Sequence, residues 1–336
     1  MKRLPRILLR ILFAFAAIAL VLLAAGYAYE STSEALDARR FGPPGEMIDI
    51  GGYRLNIVCK GDASGPTVVI EAGSGVGVVG YAAAQDAIAT FARACSYDRA
   101  GLGWSEAAPS PRTFEEMARE LNALLEGANI PGPYVLVAHS FGGFVARAFA
   151  HEYRSKTVGL ALIETGNEEL AFDPVAIEAF ARSQQVNAVA AVLHRFGVVR
   201  LVPALQGPFA NAPAEVKARI LRPGIFRAIA REGEALAAIP GSRRHLGGLG
   251  TLDDLPLIVV VRGLPDFGDN TSFEEAWRQG NRRLAELSTN SVVVVAQKSG
   301  HMVHVDQPEI YVDAVRRVVR AASDGSRVSE VEQQLD

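Results

Sequence analysis

The chain has 336 residues, of which 49% are hydrophobic and 21% charged, and a formal net charge of −3. That length can bury a full core and suits one large α/β domain with an insertion better than two unrelated domains. The composition excludes a disordered chain and a body embedded throughout in lipid, and the charge gives no footing for a nucleic-acid partner.

The first thirty residues differ from the rest. Lys2, Arg3, Arg6 and Arg10 precede an uncharged run from Ile11 to Tyr29. Its nineteen residues span about 28 Å as a helix, close to the hydrocarbon thickness of a bilayer. The apolar region of a secretory signal is shorter, roughly 7–15 residues, and leads to a small-x-small cleavage site. Here the run ends in Gly26-Tyr27-Ala28-Tyr29, whose aromatic rings suit a membrane interface. Residues 1–30 therefore read as a membrane anchor, with a cleaved signal segment and a secreted product as the alternative. The basic cluster before the span keeps the N-terminus cytoplasmic and puts the body outside. Residues 31–45 read as a linker ending in the turn Gly42-Pro43-Pro44.

Short β-rich runs follow at Met47–Ile50, Tyr53–Cys59, Thr67–Glu71 and Ala94–Tyr97. Next come a helix over Phe114–Gly127, a strand over Tyr134–Ala138, a helix over Gly142–Tyr153 and a strand over Val158–Glu164. Alternating strand and helix implies a parallel sheet covered on both faces, which accounts for all-apolar strands such as Val135-Leu136-Val137. Between Asn167 and Leu255 the alternation stops, and the segment reads as several short helices forming an insertion. It resumes with a strand over Leu257–Arg262, a helix over Phe273–Leu287, a strand over Ser291–Gln297 and a helix over Pro308–Ala322. The core is thus expected in 46–166 and 256–323, with a frayed polar tail in 324–336.

The sharpest chemical signal is Val135-Leu136-Val137-Ala138-His139-Ser140-Phe141-Gly142-Gly143. A buried strand enters a sharp turn centred on serine, flanked two residues away on each side by small residues, and a helix follows. Such a turn lifts the hydroxyl clear of the sheet and offers the helix N-terminus to an oxyanion. Far downstream, Gly300-His301-Met302-Val303-His304 follows the strand Val292–Ala296. A histidine on that loop can act as general base near neutral pH. His301, directly after the glycine, is preferred to His304. An acid that holds the imidazole is sought on the loops after neighbouring strands, in the order Asp266, Glu164, Asp269. The oxyanion donors are expected to be the amides of Phe141 and of Ser74 in the turn Ala72-Gly73-Ser74-Gly75.

In order along the chain stand Glu71-Ala72-Gly73-Ser74-Gly75, Tyr97-Asp98-Arg99-Ala100-Gly101-Leu102-Gly103-Trp104-Ser105, the serine turn, and Ser299-Gly300-His301. Together they resemble the α/β-hydrolase superfamily, of the serine hydrolase or esterase type, over roughly Glu46 to Ala322. The resemblance implies an eight-stranded, mostly parallel sheet flanked by helices, with an antiparallel second strand. It also implies a helical cap over 167–255, and an acid in Gly263-Leu264-Pro265-Asp266. The family's usual histidine-glycine pair before the oxyanion turn is Ala72-Gly73 here, and Ala138 replaces the first glycine of the serine motif. Serine at 140 argues against epoxide hydrolases and haloalkane dehalogenases of this fold, which carry aspartate there. The expected neighbouring of the second and fourth strands implies a Cys59–Cys95 disulfide, against two buried thiols. Asp98, Arg99, Gly101 and Gly103 read as architecture.

The expected reaction is hydrolysis of a small-molecule ester, apolar in its acyl or alcohol part, through an acyl-enzyme. No cofactor and no metal are expected. Amide or peptide cleavage, lactone opening and perhydrolysis on the same triad stay open, as does an inactive binding protein of this fold.

Overall fold

In the computed structural model, which describes residues 4–331 apart from 63, 110–111, 172, 223, 239–250 and 267–270, eight strands form one sheet. They are β1 (Glu46–Asp49), β2 (Arg54–Lys60), β3 (Thr67–Glu71), β4 (Ala94–Tyr97), β5 (Tyr134–His139), β6 (Thr157–Ile163), β7 (Leu257–Arg262) and β8 (Ser291–Ala296). Their spatial order is β1-β2-β4-β3-β5-β6-β7-β8. Strand β2 runs antiparallel to both its neighbours, and every pairing from β4 to β8 is parallel. Eight strands, mostly parallel with an antiparallel second one, are what the family resemblance implied.

Four helices precede β6: α1 (Leu4–Arg40), α2 (Ala82–Ile88), α3 (Phe114–Gly127) and α4 (Gly142–Glu152). Between β6 and β7 lie α5 (Pro174–Arg195), α6 (Val198–Leu201), α7 (Ala214–Ile220) and α8 (Ile225–Ala237). After β7 come α9 (Thr271–Arg283), α10 (Val303–Asp306) and α11 (Pro308–Asp324). Successive residues of a strand face opposite sides, so each central strand feeds two cores. Leu136 and Ala138 of β5 pack with α3 and α4, whereas Val135 and Val137 pack with α2 and α11. Both sides are buried, so no polar alternation is left to read in the sequence.

Cys59 on β2 and Cys95 on β4 are register partners, their Cα atoms 4.1 Å apart, and their sulfurs are bonded.

Several expectations are corrected. Helix α1 does not stop at the apolar run but continues to Arg40, so most of the expected linker is helical. Its later turns are held by tertiary ion pairs, since Arg200 bonds Glu30 at 3.0 Å and Asp37 at 2.7 Å. From Ile7 onward α1 is long and apolar enough to cross a membrane, with a mean hydropathy of 2.8 in its most apolar window. Helix α2 carries only a short Ala-rich signal and was not anticipated; it is held by burial of Ala84, Gln85 and Ile88. The tail is docked rather than frayed as far as Val328, which is fully buried. The Val328 amide donates to Asn290 Oδ1 at 2.9 Å, and its carbonyl accepts from Arg317 at 2.8 Å.

Candidate active site

Strand β5 delivers Ser140 at its C-terminal end, and α4 begins two residues later. Ser140 has a φ of +53°, a left-handed conformation that a non-glycine residue adopts at a cost. The neighbouring glycines show why the turn is so tight. A Cβ on Gly142 would lie 2.5 Å from the Glu71 carbonyl oxygen, and one on Gly143 would lie 2.4 Å from Thr165. On the near side the methyl of Ala138 fits, fully buried between β3 and β6.

The loop after β8 brings His301 to this turn. Its Nε2 lies 3.0 Å from Ser140 Oγ, and its Nδ1 lies 3.4 Å from Glu164 Oε2. Glu164 follows β6 directly, is fully buried, and also has a positive φ, +49°. Three further donors hold its carboxylate: the Arg262 amide at 2.7 Å, Arg262 Nη1 at 2.6 Å and Trp277 Nε1 at 2.9 Å. Arg262 also pairs with Glu274 at 2.7 Å. Two carboxylates around one guanidinium leave a net negative charge among these groups beside the His301 ring.

The expected order of acids is therefore revised. Asp266 is exposed, and its carboxylate accepts the backbone amide of His301 at 2.7 Å. Gly300 packs against that carboxylate, so Asp266 braces the outside of the histidine loop. Glu164 occupies the position by Nδ1, because β6 ends beneath the imidazole and Arg262 and Trp277 aim its carboxylate there. Asp269 lies outside the described residues. His304 is buried with its ring stacked on Tyr81, centroids 4.3 Å apart. Burial, then the nearby His301, lowers its pKa to about 4, which suits packing rather than proton transfer.

Ser74, Ser140 and Phe141 line one cavity of about 330 Å³. Neither the Ser74 nor the Phe141 amide has an acceptor among the described residues, whereas the Gly73 amide donates to Tyr81 Oη at 3.1 Å. The cavity wall is mostly apolar: Phe144 and Trp277 from the core, Leu170 from the start of the insertion, Ile177 and Ala181 from α5, and Ile229 and Leu236 from α8.

Two supports of the site were missed from sequence. The first is a directed chain of hydrogen bonds through His139. Its Nε2 faces the His301 carbonyl at 2.8 Å, and a carbonyl can only accept, so the proton sits on Nε2. Nδ1 is then the acceptor for Tyr81 O–H at 2.7 Å, and the Tyr81 oxygen in turn takes the Gly73 amide. Burial, followed by His301 and His304, pushes the His139 pKa well below the usual range and keeps the ring neutral. One neutral imidazole thus links the turn after β3 to the loop that carries His301. His139 was visible in the serine motif, but nothing in the sequence marked its partners.

The second support is Glu232 on α8. Arg99, buried in the turn after β4, bonds Glu71 Oε1 and Glu232 Oε1 at 2.7 Å each, and also the Ala72 and Gly73 carbonyls. Glu232 accepts Ser74 Oγ at 2.7 Å. The architectural role expected of Arg99 therefore extends to the α5–α8 insertion. Asp98 does the same locally, accepting from Val78, Asn56 and Trp104.

Comparison with known proteins places the chain among relatives of the same fold. An AB hydrolase superfamily protein of Gibberella zeae is 26% identical over 281 residues, covering 76% of this chain and 86% of its own length. A thermophilic esterase from Thermogutta terrifontis superposes with a TM-score of 0.59 at 25% identity, covering 81% of this chain and 94% of that one. The enol-lactonase from Burkholderia xenovorans LB400 superposes with a TM-score of 0.60 at 17% identity, covering 82% and 100%, and shows the shared fold. The profile described as "Alpha/beta hydrolase family" matches residues 73–314, the span that carries the turn after β3, the serine turn and the histidine loop, and the chain belongs to that family.

Proposed function

We propose that the protein is a serine ester hydrolase with Ser140 as nucleophile, His301 as general base and Glu164 as the acid that holds it. The observation that carries this reading is the imidazole between the two, with Nε2 3.0 Å from the hydroxyl and Nδ1 3.4 Å from the buried carboxylate. The resemblance to an esterase at 25% identity supports ester chemistry.

In the first step Ser140 Oγ attacks the ester carbonyl carbon while His301 Nε2 takes its proton. The carbonyl oxygen, now negative, is received by the Ser74 and Phe141 amides. His301 then protonates the alcohol as the C–O bond breaks, leaving an acyl-serine. Water enters, gives its proton to His301 and attacks the acyl carbon. Collapse returns that proton to Ser140 and frees the acid. Glu164 stabilises the imidazolium and fixes its ring.

The apolar cavity wall selects a substrate with an apolar acyl chain, since burying such surface yields about 25 cal/mol per Å². The N-terminal helix anchors the body to a membrane, with the basic residues cytoplasmic and the catalytic domain on the other side. A panel of p-nitrophenyl esters of graded chain length tests the reading. Turnover rising from acetate to medium-length chains is expected. No turnover of any p-nitrophenyl ester, with turnover of an amide, would overturn it.

A further inference from the structure

Helix α5 has two working faces. Ile177, Ala181, Gln184 and Asn187, spaced along one side of the helix, line the cavity that holds Ser140. The other side begins polar, where Glu178 and Arg182 pair at 3.7 Å, both well exposed. It ends apolar: Val186, Val189 and Val192 are 61%, 60% and 59% exposed. Just beyond, Leu201, Val202 and Leu205 are exposed as well. Single exposed apolar residues are ordinary, but six large ones at one corner need a partner.

The position of that corner identifies the partner. At the apolar end of α5 the chain meets α1. Arg195 lies over the Tyr27 ring at 5.2 Å, and a Cβ on Gly26 would fall 2.5 Å from the Phe196 carbonyl oxygen. Arg200 then locks onto Glu30 and Asp37 of the same helix. Upstream of these contacts α1 runs away from the body as an apolar rod. At 1.5 Å per residue, Val186 to Val192 all lie within about 15 Å of the point where α1 departs. The polar half of α5 is the half farther from that point. A bilayer receiving α1 therefore reaches the valines first and leaves Glu178 and Arg182 in water.

We propose that the α5–α6 corner is seated in the interfacial layer of the leaflet that α1 enters, and that the substrate is an acyl lipid resident in that bilayer. The ester passes along α5 from the seated face to the cavity face without crossing water. The substrate half of this proposal rests on the serine-hydrolase reading of Ser140; the seating of the corner does not.

Full-length protein in phosphatidylcholine vesicles tests both halves. Because the native cysteines are bonded to each other, a spin label can be placed at Val189→Cys and, separately, at Arg182→Cys. The label at 189 should collide with dissolved oxygen in preference to a nickel chelate, and the label at 182 should do the reverse. Equal nickel access at both positions would overturn the seating. So would protection from both reagents with spin–spin broadening, which would mean that a second copy covers the face. For the substrate, the triple variant Val186→Gln/Val189→Gln/Val192→Gln should lose at least tenfold on a long-chain fluorogenic ester dissolved in the bilayer. Its turnover of p-nitrophenyl acetate should stay within twofold of wild type. Unchanged turnover of both would overturn the bilayer substrate. Wild-type protein that turns over neither ester would overturn the hydrolase reading instead, while the label result stood on its own.

Discussion

The carboxylate of Glu164 lies 3.4 Å from His301 Nδ1, although 137 residues separate them, and it reaches there from the strand next to the one expected to supply the acid. Replacing Glu164 by Gln should lower kcat by roughly 10³–10⁴, because the wrong tautomer of His301 is then held and the imidazolium loses its counter-charge. Replacing Asp266 by Asn should cost about tenfold or less, since that carboxylate braces a backbone amide. Parallel kcat measurements with a p-nitrophenyl ester decide the matter, and the larger loss in Asp266→Asn would reverse the assignment.

The chain from Gly73 through Tyr81 and His139 to the His301 carbonyl makes a separate prediction. Tyr81→Phe keeps the ring but removes the proton given to His139 Nδ1 and the oxygen that takes the Gly73 amide. Both the oxyanion turn and the histidine loop should loosen. The expected result is a fall of about tenfold in kcat with KM within twofold, as for an interaction made chiefly in the transition state. A change confined to KM would assign Tyr81 to the substrate pocket instead.

That Ser140 and His301 would meet could be read because their signals are local: a strand, a turn flanked by small residues and a helix for Ser140, and a glycine turn after a strand for His301. A mostly parallel sheet with an antiparallel second strand beside the fourth was implied by family resemblance, and with it the Cys59–Cys95 pairing. The acid was not legible. Glu164 and Asp266 both follow strands that sit side by side, and only the distant Arg262 and Trp277 decide which carboxylate faces the imidazole. Nor could sequence show that α1 extends to Arg40, since the ion pairs that hold it come from Arg200. Val328 is one apolar residue in a polar stretch, and its burial depends on Asn290. Such features come from contacts between remote segments, which leave no periodicity behind.

The tie between α8 and the Ser74 turn should show in both stability and binding. Glu232→Ala removes one of two carboxylates from the buried Arg99 and the acceptor of Ser74 Oγ. Loss of one partner from a buried ion pair costs about 3 kcal/mol, to be measured by urea denaturation. KM should also rise severalfold as the Ser74 turn loses its tether. Unchanged stability and KM would make the contact incidental.

His304 gives the protein a pH-dependent stability of known sign. Its folded pKa of about 4 lies below the ordinary 6.5, chiefly through burial. Between those values the unfolded chain binds a proton that the folded chain does not, so this residue's contribution is complete above 6.5 and is lost as pH falls towards 4. At pH 5 the loss amounts to about 2 kcal/mol. His304→Phe keeps the stack on Tyr81 without the titration. The stability of the variant relative to wild type should rise by that amount between pH 7 and pH 5, measured by chemical denaturation at each pH. A constant difference would show that His304 takes up its proton equally in the folded and unfolded chains.

Covalent labelling by an alkyl fluorophosphonate, followed by peptide mass mapping of the full-length protein, tests the central claim most directly. The reagent reports whether one hydroxyl is activated by its surroundings, independently of any choice of substrate. The adduct should fall on Ser140 alone in wild-type protein, be absent from Ser140→Ala, and form at least a hundredfold more slowly in His301→Ala. Wild-type protein that stays unlabelled, or that carries the adduct on another residue, would contradict the account.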